Sequence, residues 1–521
     1  MNESDWEQES YRWQRFDQEI SHQTNNAVYE LIVQNLAEPA RLKPNFPALM
    51  AGVSNLFQDK SDIEAAVKIT AALGAWPERW GYGVAWEKQV RIALASTKDH
   101  PQHPQSAILK ATLAELLYDS SQLSEALTFA LEAIQQARSV RDAEALSLGL
   151  KTQIAVRWAQ AENIAIQEEI GNFQSELVQW GMPESQIRRF SVCLKIMQVL
   201  ILRSSGQSDL ARKTVLQLID EIQHIEQVDV HYIADCYQVS GVMEWANGNI
   251  TAAQKGFEKA GDLYSRAGAS TMLAYIHANI ALALLSQGRL IEGNEYSLRS
   301  FELNAKIHNT IRHVNAYGLL GLSYYLARRF KIAADIFNRQ IKLAEKTGNS
   351  RSYHLAIDNT LSLKVMQGKY QQAIPGLLKS LEHYKAIGAK ERQLGTEIDL
   401  LLCYKGQKDL TQAEFFANSI ENLLNNGGLE RNTPVALRAI ALCRPSDKAE
   451  ALLQTAHNLA MQGGYLMEQA ACLLLLSALT PSQEDRQLLW RKADRLCQTC
   501  GASAWLKGRS PDNPPFLPFV V

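Results

Sequence analysis

The sequence has no phosphate loop of the form G-x-x-x-x-G-K-[ST], no H-E-x-x-H, no G-x-S-x-G and no G-x-G-x-x-G. Each absence removes a class: P-loop nucleotide hydrolysis, zinc proteolysis, serine hydrolysis and dinucleotide binding. The Gly368-Lys369 pair is followed by Tyr370, so it does not complete a phosphate loop. No run of eighteen apolar residues occurs, which excludes a membrane-spanning helix. The stretch 1–9 is polar and acidic and lacks the basic-then-apolar order of a secretory signal. The seven cysteines are scattered rather than framed for disulfides, which predicts a reduced, cytoplasmic setting. Neither charge sign dominates: 53 Lys and Arg face 55 Asp and Glu, a net charge of -2. A nucleic-acid binder usually carries a basic excess, and none is present. Proline is missing between Pro183 and Pro375, as packed helices require. Sustained period-two runs and Asn-Gly hairpins between β-branched residues are missing as well, so strands are not expected.

What is present is a period of forty residues. Ala253, Gly293, Ala333, Ala373 and Ala413 stand forty apart, and so do Ile250, Leu290, Phe330, Tyr370 and Leu410 three residues earlier. One turn register runs Gly248, Gly288, Arg328, Gly368, Lys408; a second runs Gly268, His308, Gly348, Gly388, Gly428. Within a unit the apolar residues recur at three and four, as in Ile250, Ala253, Phe257 and Ala260. This predicts a helical hairpin per repeat. The small residue lets two helices approach, and the turn glycine follows a helix in left-handed backbone. Lys346 and Lys385 near the ends of their helices suit a helix C-terminus. Pro375 is expected to kink or delay its helix.

The repeat resembles the tetratricopeptide repeat, W-x2-L-G-x2-Y then A-x3-F. Ser240-Gly241, Gly248, Ile250, Ala253, Phe257 and Ala260 match it, as do Leu320-Gly321, Tyr324, Phe330, Ala333 and Phe337. The copy at Ile280-Ala281, Leu284, Gly288 and Leu290 has Ser297 where an aromatic is usual, and the copy at Thr360-Leu361, Gly368, Tyr370 and Ala373 keeps the second half. The resemblance implies an all-α fold: a right-handed superhelical solenoid of antiparallel helix pairs. Each hairpin should be longer than the usual one by about one and a half turns.

The flanks read as looser helix pairs. Upstream, Leu123 with Ala126 and Gly206 with Leu210 repeat the turn pattern, while 142–180 is helical but poorly periodic. Downstream, 449–461 and 467–479 read as a pair and 487–499 as one more helix, with Ser482 as its cap before Glu484 and Asp485. The expected organisation is a helical cap region over 1–104, degenerate pairs over 105–229, regular repeats over 230–430, C-terminal repeats and cap over 431–506, and an apolar, proline-rich tail over 507–521. Trp6, Trp13, Phe16 and Ile20 predict an opening amphipathic helix, and 95–105 a loop. The tail is a strap on the last helices or a docking segment for a partner groove.

The ends are similar to the helical arm of STAND signalling ATPases of the maltose-activator type. The stretch Ala71-Ala72-Leu73, Trp76, Trp80-Gly81 and Ala93-Leu94 carries this likeness, with Gly464, Glu468, Ala471, Gly501-Ala502 and Trp505 at the other end. No segment is spare for the nucleotide-binding domain, so the resemblance implies an arm without its motor.

No catalytic, cofactor or metal set emerges. Cys497 and Cys500 form one C-x-x-C that closes a helix, His100 and His103 each adjoin a proline in a loop, and Cys236, His231, Cys403 and Cys443 read as packing residues. A non-enzymatic scaffold or regulatory subunit is therefore expected, binding a peptide or partner-protein segment in a concave groove and controlling a signalling effector. In the tetratricopeptide register the inward first-helix positions are Asp235, Gln238, Trp245, Tyr275, Asn315, Tyr325, Asp358 and Lys405. The basic cluster Arg328, Arg329 and Lys331 reads as a solvated turn. A nucleic-acid reader, a small-ligand or peptide sensor and a redox enzyme acting through Cys497 and Cys500 are the alternatives.

Overall fold

The structure is a computed structural model. It describes residues 19–518 except 20, 37, 99–102, 121, 161, 163, 206, 227, 308–309, 348–349, 387 and 428. Trp6, Trp13, Phe16, Ile20 and His100 lie outside the described residues. The chain is all-α, and among the described residues the only β feature is a single antiparallel bridge between Ser510 and Asn513. No described helix is long and apolar enough to cross a membrane. Two compact units form: the described residues up to Tyr237 with Ala260–Leu273, and Gln238–Lys259 with Ala274 onwards.

In the first unit, paired helices run from Phe46–Gln58 to Ser208–Ile222. The stretch 142–180 holds two helices, Ala143–Ala159 and Ile166–Gln179. Asp142 caps the first of these by accepting from the Ala145 amide at 3.0 Å, as Asp62 does for Ala65 at 3.1 Å. Phe46, Trp80 and Trp86 pack edge to face, and the Trp86 indole donates to the Gly74 carbonyl at 2.7 Å.

Five hairpins carry the forty-residue period: Val230–Ala246 with Ile250–Arg266, Ser270–Gln287 with Leu290–Ile307, Thr310–Leu326 with Phe330–Thr347, Ser350–Met366 with Tyr370–Ala386, and Lys390–Gly406 with Leu410–Asn425. They are called repeats one to five. The physical reason for the period is visible in two registers. All five small residues are buried; a Cβ on Gly293 would lie 2.7 Å from the Leu285 side chain. All five residues of the first turn register have positive φ, from +60° to +83°, including Arg328 and Lys408. A side chain in that conformation costs about 1–2 kcal/mol, so the turn geometry is imposed by the hairpin and not by glycine alone. Pro375 lies inside the Tyr370–Ala386 helix, which starts in register with its counterparts, so the expected delay does not occur.

After repeat five come Thr433–Ala441, Ser446–Gln462, Leu466–Leu479 and Gln483–Cys500. Ser482 caps the last by accepting from the Asp485 amide at 3.4 Å. The helices Leu466–Leu479 and Gln483–Cys500 and the tail share one apolar core with repeats two to four: Leu285, Leu290, Leu326 and Leu363 cluster with Met467, Leu474, Trp505 and Leu517. The chain thus packs its C-terminal end onto its own repeats.

Candidate functional site

The turn ends of the first three repeats are covered by that C-terminal end. A Cβ on Gly248 would stand 3.1 Å from the Tyr465 hydroxyl, and one on Gly288 would stand 2.8 Å from the Met467 amide nitrogen. At the third turn, Arg328 donates to the Ala504 carbonyl at 2.6 Å and lies over the Trp505 ring at 5.5 Å. Trp505 in turn donates its indole N–H to the Leu326 carbonyl at 2.7 Å and meets Phe330 edge to face at 5.5 Å. The expected solvated turn at Arg328 is therefore a packing contact. Its guanidinium satisfies a carbonyl that the Trp505 turn would otherwise leave open.

This arrangement decides the fate of the eight inward positions. Tyr325 is 5% exposed and sits in the shared core, where burial holds its phenol well above the usual range. It cannot meet a ligand in this conformation: the tetratricopeptide register tells which way it points but not that its own chain fills the space. Trp245 is half-buried with the Arg431 guanidinium 3.9 Å over its ring. Gln238 is buried. Lys405 donates to the Leu442 carbonyl at 2.5 Å, at the end of the Thr433–Ala441 helix. Asp358 accepts from Ser380 at 2.7 Å and from the Tyr384 hydroxyl. Asp235, in the first unit, accepts from the Tyr264 hydroxyl. Tyr275 and Asn315 remain exposed, at equivalent positions of repeats two and three.

The second unit also carries two aromatic clusters on the helices of these repeats. His313 stacks on Tyr317 at 4.9 Å and 10°, Phe301 meets both edge to face, and His277 meets Tyr296 at 5.6 Å. Burial, and for His277 the Arg299 charge as well, lowers the pKa of both imidazoles. Neutral imidazoles offer one donor and one acceptor each. The Asn279 side-chain nitrogen is buried without a partner. Such groups can hydrogen-bond and stack against a peptide.

The cysteines point away from chemistry. Cys497 and Cys500 are buried in the shared core, and burial pushes their thiols up to about 12 and about 11. Burial likewise pushes the Cys403 thiol up to about 12 and raises that of Cys236. A protonated buried thiol is a poor nucleophile. His103 bonds Glu64 at 3.0 Å. Among the described residues no group of three or more His, Cys, Asp or Glu is placed to hold a metal ion.

Two charged clusters escaped the sequence reading. In the first unit, Glu115 accepts from Lys151 at 2.7 Å and faces Arg79 at 3.6 Å, while Asp229 pairs with His231 at 3.0 Å. Burial pushes the Glu115 carboxyl up, but Lys151 and Arg79 outweigh it and bring it down to about 2. Burial is likewise outweighed at Asp229, which His231 and Arg79 bring to about 2. In the second unit, Arg438 is fully buried and pairs with both Glu468 oxygens, at 2.6 and 3.0 Å. The signal for Glu115 and Lys151 was a lone charge within an apolar helical run. For Arg438 it was a lone Arg in Pro434–Ala441.

No protein-family model matches the sequence, and a search of curated proteins gave no match either. Solved structures give matches. A Rap protein complexed with competence and sporulation factor is 12% identical, aligns over 73% of this chain and 99% of its own, and has a TM-score of 0.46. Aspartyl phosphate phosphatase F from Bacillus subtilis is 12% identical over 71% and 97%, at 0.39. A STAND ATPase with a tetratricopeptide-repeat sensor from Pyrococcus horikoshii is 15% identical over 82% and 72%, at 0.35. At these scores and identities the likenesses carry no argument about activity. The fold itself is that of a tetratricopeptide-like helical-repeat protein, as its own hairpins show.

Proposed function

We propose that this chain is a non-enzymatic binding scaffold, in the cytoplasm, that holds a peptide or a partner-protein segment against the face carrying Tyr275 and Asn315. One observation supports it above the others. The inner positions of the register are mostly tied up within the chain, yet Tyr275 stays 44% exposed and Asn315, one repeat on, is exposed as well. Exposed aromatics beside polar groups are the usual anchors of peptide recognition. The remaining six positions are tied up within their own units and are not assigned to the ligand. Control of a signalling effector is the role that suits a scaffold without chemistry of its own.

The test is site-specific photo-crosslinking in the native host, with a benzophenone amino acid placed at position 275 and, as control, at Ile291, which is 68% exposed. A discrete crosslinked partner from 275 that is absent from 291 and weakened by Asn315→Ala is expected. The same products from both positions, or none from 275, would overturn the reading.

A further inference from the structure

The tail residues Phe516, Leu517 and Pro518 occupy a built cradle. Leu517 is completely buried among the residues of the shared core. Arg438 closes the site from the other side. Its Nε and Nη2 are taken by Glu468, its Nη1 donates to the Leu517 carbonyl at 3.2 Å, and its plane lies 4.3 Å from the Phe516 ring centroid. A buried guanidinium fixed by a carboxylate is a rigid donor, preorganised for one backbone carbonyl. A backbone carbonyl carries no sequence information, so the same donor accepts any extended segment that presents one.

The occupant is held mainly by apolar burial rather than by hydrogen bonds. Among the described residues, the Arg438 bond is the only hydrogen bond from 514–518 to the rest of the unit. Pro514, Pro515 and Pro518 keep the segment extended and leave little conformational freedom to lose on docking. Pro518 borders a small cavity with Leu285, Leu326, Tyr465 and Met467.

We propose that this cradle is a peptide-binding site which the tail occupies in cis. Its ligand in trans is an extended, proline-flanked segment with two adjacent apolar residues and a carbonyl for Arg438. The tail competes with that segment and sets the threshold for its entry. This site is separate from the Tyr275 face, and the two stand or fall independently.

The experiment is fluorescence polarisation of a labelled peptide of sequence 507–521, titrated with the full-length protein. The wild type is compared with the double variant Phe516→Ser, Leu517→Ser and with the milder Leu517→Ala. The double variant should bind the peptide about tenfold more tightly than wild type, with Leu517→Ala between them. A peptide carrying the same two serines should fail to bind. Adding Arg438→Met together with Glu468→Gln, so that neither charge is stranded, should weaken binding by about tenfold. Failure of the peptide to bind a tail variant that keeps the wild-type helical circular dichroism would overturn the proposal. So would equal binding to wild type and variants, or equal binding of the serine peptide.

Discussion

The turns at 248, 288 and 328 and those at 368 and 408 have the same backbone and opposite surroundings. The first three are covered by Tyr465, Met467 and Trp505. At Gly368 nothing lies within 4 Å of a would-be Cβ, and Lys408 is exposed. The apolar register two residues on follows the same gradient: Ile250 is 2% and Leu290 3% exposed, Phe330 and Tyr370 are half-buried, and Leu410 is 67% exposed. The small residue three positions later is buried in all five repeats. The period thus records two different contacts. The small register encodes the packing of one helix on its partner, which every repeat needs. The apolar register encodes a cover that only part of the array receives.

Four perturbations separate these contacts, in order of expected size. Removing Arg438 alone, as Arg438→Met, leaves the Glu468 carboxylate buried without its partner and should destabilise the second unit by about 3–5 kcal/mol. Glu468→Gln in the same chain should restore most of that in a urea titration; no restoration would mean that the pair does not act as a unit. Next, Leu290→Ala should cost about 2–4 kcal/mol and Leu410→Ala under about 0.5 kcal/mol, since only the first is covered. Equal losses would erase the distinction between covered and open turns. Third, Gly288→Ala should cost about 2–3 kcal/mol, combining a left-handed backbone with an approach to the Met467 amide, whereas Gly368→Ala should cost about 1 kcal/mol from the backbone alone.

The smallest effect is a slope with pH. Asp399, on the first helix of repeat five, is buried, and this pushes its carboxyl up to about 7 although Ser362 donates to it. A carboxyl raised on folding favours the protonated form. Its contribution is therefore present at low pH and lost as pH rises through about 7. Lowering pH from 7 to 6 should bring a stabilising share of at most about 1 kcal/mol from Asp399, against the opposite share of the burial-lowered imidazoles of His277, His313, His354 and His457, and the difference between wild type and Asp399→Asn isolates the Asp399 share. The first unit behaves oppositely: the contributions of Glu115 and Asp229 are present above the ordinary carboxylate range and lost as pH falls toward about 2. A thermal melt series from pH 7 to pH 3 reads both signs.

The contacts inside each hairpin were legible in the sequence because they recur at fixed spacing. Arg328 and Lys408 fell into the turn register despite not being glycine, and both adopt its backbone. The cover was not legible, since Trp505 and Leu326 meet across 179 residues with no period to announce it. For the same reason the register placed Tyr325, Trp245 and Lys405 inward but gave no sign that Trp505, Arg431 and the Leu442 carbonyl share their surroundings. Tyr325→Glu would consequently unfold rather than probe a groove, and Tyr275→Ala is the informative change. The tail was readable as apolar and extended; that it seats on Arg438 depended on a lone buried charge whose partner lies thirty residues away.

Hydrogen exchange at the five turns tests the cover most directly. Each turn residue makes the same amide bond to the carbonyl three before it: Gly248 to Trp245, Gly288 to Leu285, Arg328 to Tyr325, Gly368 to Val365 and Lys408 to Lys405. Differences in exchange therefore report what lies over the turn and not the bond itself. Slow exchange at 248, 288 and 328 with fast exchange at 368 and 408 is the expected result. Uniform exchange across the five turns would contradict the account.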